Sequence, residues 1–299
     1  MHVPDLAIAM NLAELRRRVT SWYRASARDL PWRRTRSPYA VLVSELMLQQ
    51  TQVDRVVPKY RAFLRRFPTF RALASSTLAD VLRAWSGLGY NGRARRLWEC
   101  ARIVVEERGG RLPRDTAELE ALPGIGPYTA GAVASVAFGA RAAAVDVNIR
   151  RVLARSIDGK SGVSDSRAWV LARLALPPRG DAGDWNQALM DIGALHCRAT
   201  PRCDACPLRR VCRAFNSGAV DLATKRRRQP RFEGSSRFYR GHVVRALARA
   251  GSVSFLELGE QVKAGFGETD LPWLEDLLSG LARDGLVALA RKRRRARLP

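Results

Sequence analysis

Apolar positions along the chain recur mostly at helical spacing, in runs punctuated by Gly, Pro, Ser and Asp. Leu12, Leu15, Val19 and Trp22 share one face of a helix over 11–27, which Leu30-Pro31-Trp32 breaks. Ser37-Pro38 reads as an N-cap followed by proline at the first helical position, opening a helix that runs through Val53. Helical patterns follow at 54–66, 70–74, 78–85 and 94–107, the last with Leu97, Ala101 and Val104 inward. Asp115 with Glu118 three residues on starts a short capped helix that stops at Pro123-Gly124. Pro127 opens the next, whose small residues Ala130, Gly131, Ala132, Ala134 and Ser135 permit close packing, and Gly139 caps it. Asp146 stands where an N-cap belongs, before Val-Asn-Ile-Arg-Arg-Val-Leu, and further helices cover 166–175 and 184–195. Beyond a basic stretch, the predicted order is helix 238–250, a brief strand 252–255, helices 256–264 and 271–284, the apolar run 286–290, a basic turn and residues 295–298.

Composition narrows the class. With 46% hydrophobic and 27% charged residues over 299 positions, the chain is expected to fold into two or three domains. No apolar run is long enough to span a bilayer, and Asp5 with the brief Leu6–Met10 run makes a poor signal peptide, so a cytoplasmic place is expected. A formal charge of +24 predicts salt-dependent attraction to a polyanion, although the Arg-rich excess is also what GC-rich coding produces. The spacing Cys197-x5-Cys203-x2-Cys206-x5-Cys212 is a strong four-thiolate signal that admits zinc or an iron-sulfur cluster, whereas Cys100 reads as a core thiol. Arg198, Arg202, Arg209, Arg210 and Arg213 decorate that loop as candidate phosphate contacts, and His196 reads as a helix-end residue.

Three further stretches carry candidate chemistry. Glu45 lies among Leu42, Leu46 and Met47, where burial would raise its pKa and keep it protonated as a general acid; the competing reading is an ordinary solvated glutamate. Ser86-Gly87-Leu88-Gly89-Tyr90-Asn91-Gly92-Arg93-Ala94-Arg95 suits a loop that enters a DNA groove, with a ring between bases and cations on phosphates, against the alternative of a buried core ring. Gly124-Ile125-Gly126 would leave backbone N–H groups free at a helix N-terminus to hold a DNA phosphate.

Helix, Leu122-Pro123-Gly124-Ile125-Gly126, helix and then Val145-Asp146 resembles the helix-hairpin-helix Gly/Pro-Asp signature of base-excision DNA glycosylases. Ser44-Glu45-Leu46-Met47-Leu48-Gln49-Gln50-Thr51-Gln52-Val53 resembles, almost residue for residue, the catalytic helix of the MutY adenine glycosylases, and the likeness covers 12–214. It implies an all-α, two-lobed glycosylase: 1–27 with 147–214 as one lobe carrying the four-Cys loop, 28–146 as a six-helix lobe, 215–236 as a basic linker, and 237–299 as a small winged-helix-like domain. The reaction implied is hydrolysis of the N-glycosidic bond of a flipped adenine opposite 8-oxoguanine or guanine. Glu45 would protonate the base, Asp146 stabilise the sugar cation and Tyr128 assist there, while Trp32, Arg33, Leu88 and Gln187 line the base pocket. Gln50 and Tyr90 would stand beside the extruded base as wedges and Gln49 would contact DNA, with Gly124, Gly126, Arg209 and Arg210 on phosphates. The four cysteines would hold a 4Fe-4S cluster, with zinc as the lesser alternative, and the partner would be mismatched or damaged duplex DNA bound by a monomer in the nucleoid.

The chain departs from the family pattern at Asn91, where a second Tyr is usual, at Val147, where Gly is usual, and by one residue fewer between the first two cysteines. A Lys at position 128 would imply a lyase; Tyr128 implies a monofunctional glycosylase. The alternatives are a glycosylase for hypoxanthine or mismatched T or U, and a non-catalytic metal-containing DNA-binding regulator, against which the pairing of Glu45 with Asp146 argues. Residues 238–299 are read as too few for the Nudix-like domain usual in the family, and the Arg291–Arg297 end as offering charge rather than a shaped pocket.

Overall fold

The computed structural model describes residues 6–219 and 231–299; Asp5 and the basic run Lys225–Arg228 lie outside the described residues. The chain is mostly helical and divides into two units, one holding the residues up to Leu42, Pro113–Ala121 and the stretch from Ile125 on, the other Val43–Leu112, Leu122–Gly124 and the C-terminal segment.

In the first unit, helices Leu6–Ser26, Val147–Leu153, Asp165–Ala175 and Ala182–Leu195 close around Leu15, Val19, Ile149, Leu153, Leu171 and Ile192. Each such side chain contributes roughly 1.5–3 kcal/mol by leaving water. The helix Pro127–Phe138 joins this unit because its small residues allow backbone to touch backbone. A Cβ on Gly131 would stand 1.9 Å from the Ala143 carbonyl oxygen, and one on Gly183 would stand 2.9 Å from the Val136 Cα. Asn186 fastens the same contact, donating to the Ala142 carbonyl at 2.9 Å and to Ser135 Oγ at 3.0 Å. The packing therefore groups the hairpin helix with 147–214, whereas the expected lobe boundaries kept it with 28–146.

In the second unit, helices Val53–Arg66, Phe70–Ala74, Leu78–Trp85 and Gly92–Arg108 surround Val56, Phe63, Leu73, Leu82, Trp85 and Leu97. Phe63 meets Trp85 edge to face at 5.9 Å. The C-terminal segment runs helix Ser236–Ala250, strand Val253–Ser254, helices Phe255–Val262 and Leu271–Arg283, then strands Ala288–Ala290 and Arg295–Arg297. The last strand is central and antiparallel to both others, with Ala296 opposite Val253 and Leu289. This helix, strand, helix, helix, strand, strand order is the one expected from the sequence, and Leu247, Leu258, Leu274 and Leu278 fill its core. Its first helix packs on Leu78–Trp85.

One predicted helix is corrected. The helix from Pro38 stops at Leu48 and a new one starts at Val53, with a turn between in which Gln50 has φ +54°. The reason lies in a guanidinium that takes the carbonyls a longer helix would have used.

Candidate active site

Glu45 sits on the helix Pro38–Leu48 beside the fully buried Leu42, Leu46 and Met47, and is itself half-buried. Two turns follow from residues that rarely adopt left-handed backbone: Gln50 at φ +54° and Tyr90 at φ +47°. Each such turn costs on the order of 1 kcal/mol and persists only where its surroundings fix it. What fixes both is Arg93. Its Nη1 lies 2.8 Å from the Leu46 carbonyl oxygen, 2.9 Å from that of Met47 and 2.5 Å from that of Gln49. Its Nη2 reaches Thr51 Oγ1 at 3.0 Å and the Gly89 carbonyl at 3.1 Å. One side chain thus ends the Glu45 helix and pins the Tyr90 loop. No carboxylate pairs with Arg93 among the described residues, and burial draws its pKa down to about 10, so it stays charged at neutral pH. The sequence reading treated Arg93 as a phosphate cation; at 5% exposure it is instead a buried tie, and nothing in its neighbours announced that. Tyr90 is 46% exposed, which excludes the core-ring alternative, and Leu88 is buried beneath the loop. Gln49 is half-buried and Gln50 exposed. Gly124 has φ +82°, and a Cβ there would meet Arg96 Cβ at 2.9 Å, so glycine is required.

In the first unit, Asp146 caps the helix Val147–Leu153. Its carboxylate accepts from the backbone N–H of Asn148 at 2.9 Å, that of Ile149 at 2.8 Å and Asn148 Nδ2 at 2.9 Å. Burial pushes its pKa up, and these donors together with the Arg151 charge oppose the rise without cancelling it. The capping was legible; the desolvation was not. Asn148 Oδ1 in turn accepts from Arg151 Nη2 at 2.8 Å, and Arg151 Nε donates to the Cys197 carbonyl, so a continuous hydrogen-bonded chain runs from the carboxylate to the first cysteine. Val147 is 71% exposed and has ordinary negative φ, so this backbone does not require the glycine of the family pattern.

Tyr128 is half-buried, its hydroxyl 4.0 Å from Met190 Sδ. Trp32 is buried. Arg33 forks onto Asp191 at 2.7 and 2.9 Å, and Arg28 reaches the same carboxylate at 2.5 Å. Burial would raise the Asp191 pKa, but hydrogen bonds from Arg33 and Arg28 outweigh it and hold the carboxyl below the usual range. The Arg33 guanidinium lies 5.5 Å from the Tyr23 ring, whose hydroxyl donates to Gln187 Oε1 at 2.9 Å. Arg33 and Gln187 are therefore joined through Tyr23 and anchored by Asp191, two residues the sequence reading missed. Gly126 is exposed at the N-terminus of Pro127–Phe138, with no side chain capping it.

Cys197, Cys203, Cys206 and Cys212 share the loop after Ala182–Leu195, and burial raises the pKa of the last three. Burial and the neighbouring thiols push Cys206 up to about 12, while the backbone N–H of Leu208 points at its sulfur, as those of Phe215 and Ala214 point at Cys212. Arg155 Nη1 lies 3.6 Å from Cys197 Sγ. N–H donors at Cys206 and Cys212 suit sulfurs that have given up their protons to a bound metal or cluster, since such donors stabilise the thiolate. Among the described residues, no three His, Cys, Asp or Glu side chains are gathered so as to hold a metal ion. Arg209 and Arg210 are exposed beside the loop, Arg209 stacked 4.8 Å from the Phe215 ring.

Residues 43–163 match the HhH-GPD superfamily of base excision DNA repair proteins. Over 276 residues the chain is 41% identical to the adenine DNA glycosylase of Mycolicibacterium smegmatis, an overlap of 89% of this chain and 90% of that protein. It is 47% identical over 208 residues to the adenine DNA glycosylase of Homo sapiens, covering 65% of this chain and 38% of the human one. Among solved structures, a thermostable thymine-DNA glycosylase superposes with a TM-score of 0.65 at 31% identity, over 71% of this chain and 99% of that chain. Endonuclease III, trapped as a covalent intermediate with DNA, shares the fold with a TM-score of 0.58 at 24% identity, over 70% of this chain and 98% of that chain.

Proposed function

Because the chain belongs to the adenine DNA glycosylases of the helix-hairpin-helix base excision repair superfamily, we propose that it hydrolyses the N-glycosidic bond of adenine standing opposite 8-oxoguanine or guanine in duplex DNA. The observation that carries this reading is Asp146, a carboxylate held by three donors at a helix start, in a chain whose other candidate carboxylate, Glu45, is flanked by apolar side chains.

Adenine is a poor leaving group as an anion. Glu45, as the carboxylic acid, donates its proton to a ring nitrogen so that the base leaves neutral. Asp146, ionised and fixed by its donors, stabilises the oxocarbenium-like sugar before water adds. Tyr128 assists at the sugar, and the absence of Lys at that position leaves no amine for a Schiff base, which makes the enzyme monofunctional. Gln49, Gln50 and Tyr90 fill the space the flipped base vacates; Trp32, Leu88 and the Arg33–Tyr23–Gln187 network shape the base pocket. Gly124, Gly126, Arg209 and Arg210 take phosphates. Cys197, Cys203, Cys206 and Cys212 hold a 4Fe-4S cluster, which when bound supplies a rigid, redox-capable anchor for the loop, with zinc as the alternative. The enzyme acts as a monomer on nucleoid DNA in the cytoplasm; among the described residues no helix is long and apolar enough to cross a membrane.

Single-turnover base release from duplexes carrying A, hypoxanthine, T or U opposite each base, 8-oxoguanine included, tests the reading. Wild type is expected to prefer A opposite 8-oxoguanine or G, and Glu45→Gln to lose release while keeping duplex affinity. Release by Glu45→Gln within about tenfold of wild type would overturn the acid assignment. The 31% identity to a thymine-DNA glycosylase supports mismatched T as the second reading, and a preference for T in the same panel would select it.

A further inference from the structure

Tyr90 and Phe232 are the two most exposed aromatic side chains among the described residues, at 46% and 58%, and both line one cavity of about 850 Å³ within the second unit. One wall is the stretch from Gln49 to Arg55 with the loop from Ser86 to Asn91 and the first turn of helix Gly92–Arg108, and the other is the face of helix Ser236–Ala250 with residues Leu281–Leu286. Arginine dominates the lining, with eight against a single carboxylate, Asp284. Of these, Arg93 is the buried tie already described, Arg55 donates to the Gly87 carbonyl, Arg95 pairs with Glu99 at 3.4 Å and Arg240 pairs with Asp284. Arg96, Arg237, Arg245 and Arg283 have no carboxylate within ion-pair distance among the described residues. The ring of Phe232 abuts Phe238 at 5.7 Å, and Phe238 lies on His242 at 4.0 Å, so the far wall carries a small aromatic shelf.

We propose that this cavity is a second DNA-binding site that takes an unstacked nucleotide of one strand, its base on Phe232 and the flanking phosphates on Arg96, Arg237, Arg245 and Arg283. Four guanidiniums without carboxylate partners, drawn from three helices, match a run of phosphates better than one compact anion, because their charges are spread along the walls. An exposed aromatic face among them is the second half of a single-strand site, since every base has a π-face and stacking tolerates any sequence. A paired base offers no such face to a side chain. The site opens beside Gln50 and Tyr90, which under the proposed function stand where a base leaves the stack, so it would meet a strand whose stacking is already interrupted. Its walls come from the helix at 236–250 and the Tyr90 loop, so the shaped pocket that the Arg291–Arg297 end was not expected to supply arises elsewhere in the same segment. The proposal rests on DNA being the substrate but not on which base is excised.

Full-length protein is titrated with fluorescein-labelled oligothymidylate and with fully paired duplex across a range of salt concentrations. Phe232→Ala is expected to weaken oligothymidylate binding about tenfold at unchanged salt slope, with little change for paired duplex. Arg237→Ala with Arg245→Ala is expected to weaken it by a similar factor and to lower the salt slope by about 1–2, while the paired Lys substitutions restore much of the slope. Wild-type affinity for oligothymidylate in both variants would overturn the proposal. So would a loss confined to the Arg variant, which would mark a diffuse basic patch, or an equal loss for paired duplex in Phe232→Ala. If wild type failed to release adenine while these binding losses appeared, the catalytic reading would fall and the cavity assignment would stand.

Discussion

The Asp146 turn and the Gln50–Tyr90 turns solve the same problem by opposite means. Asp146 is fixed by donors two and three residues away, on the helix it caps. The Gln50 turn is held by Arg93, more than forty residues later in the chain, and Tyr90 by that same side chain three residues on, which must be buried as a cation to serve both. A local solution is written into a short run of sequence and survives small shifts in packing. The long-range one concentrates two turns on a single guanidinium, so the loops proposed to meet DNA depend on one buried residue.

The largest effect is expected at Asp146. Asparagine caps helices about as well as aspartate, so Asp146→Asn separates the two roles, holding thermal stability to within about 0.5 kcal/mol while removing the charge. Single-turnover base release is expected to fall by about a thousandfold, the scale of a lost electrostatic stabiliser. Unchanged release would mean that the residue is a cap and nothing more.

Arg93→Met tests the other half of the comparison. Removing the guanidinium leaves buried carbonyls of Leu46, Met47 and Gln49 without their donor, at a cost of about 3–5 kcal/mol read as a shift in the urea midpoint. Arg93→Lys is expected to recover only part of this, because one ammonium cannot match a planar fork that touches both turns. If Arg93→Lys were as stable as wild type, the guanidinium geometry would not be what holds Gln50 and Tyr90.

The same contrast explains what was legible. Helices 70–74 and 78–85 appear with the predicted bounds because their apolar spacing and Thr caps act locally. The order of helices and strands after 236 and the Gly139 cap were readable on the same grounds. The helix from Pro38 was drawn too long because nothing in Gln49-Gln50-Thr51-Gln52 forbids a helix; the interruption comes from Arg93 across the fold. Glu45, Asp146 and the cysteines were singled out through motifs, whereas Arg151, Tyr23 and Asp191 gain their contacts from partners distant in sequence, and Asn148 from neighbours two and three residues away. Likewise the expected lobe boundaries followed helix order, while the close approach of Gly131 to Ala143 decides which unit the hairpin helix joins.

The smallest effect sharpens the local side of the comparison. Asn148→Ala removes one of three donors to Asp146 and leaves both backbone donors in place, so a rate loss of about tenfold is expected. Burial already raises the Asp146 pKa, and losing a donor that favours the charged form raises it further. In the proposed mechanism activity needs the ionised carboxylate and is lost as pH falls through that pKa, so the acid limb of the single-turnover profile should move to higher pH. Stability runs the other way. A carboxyl whose folded pKa lies above its unfolded value contributes stability that is fully present below the unfolded pKa and is lost as pH rises through the folded one. Asn148→Ala should therefore lower the melting temperature more at neutral pH than near pH 4, the region of an unperturbed aspartate at about 3.9. An acid limb that stayed in place or moved down would show that the two backbone donors alone set the charge of Asp146, and that its side-chain link toward Arg151 and the cysteine loop is without electrostatic consequence.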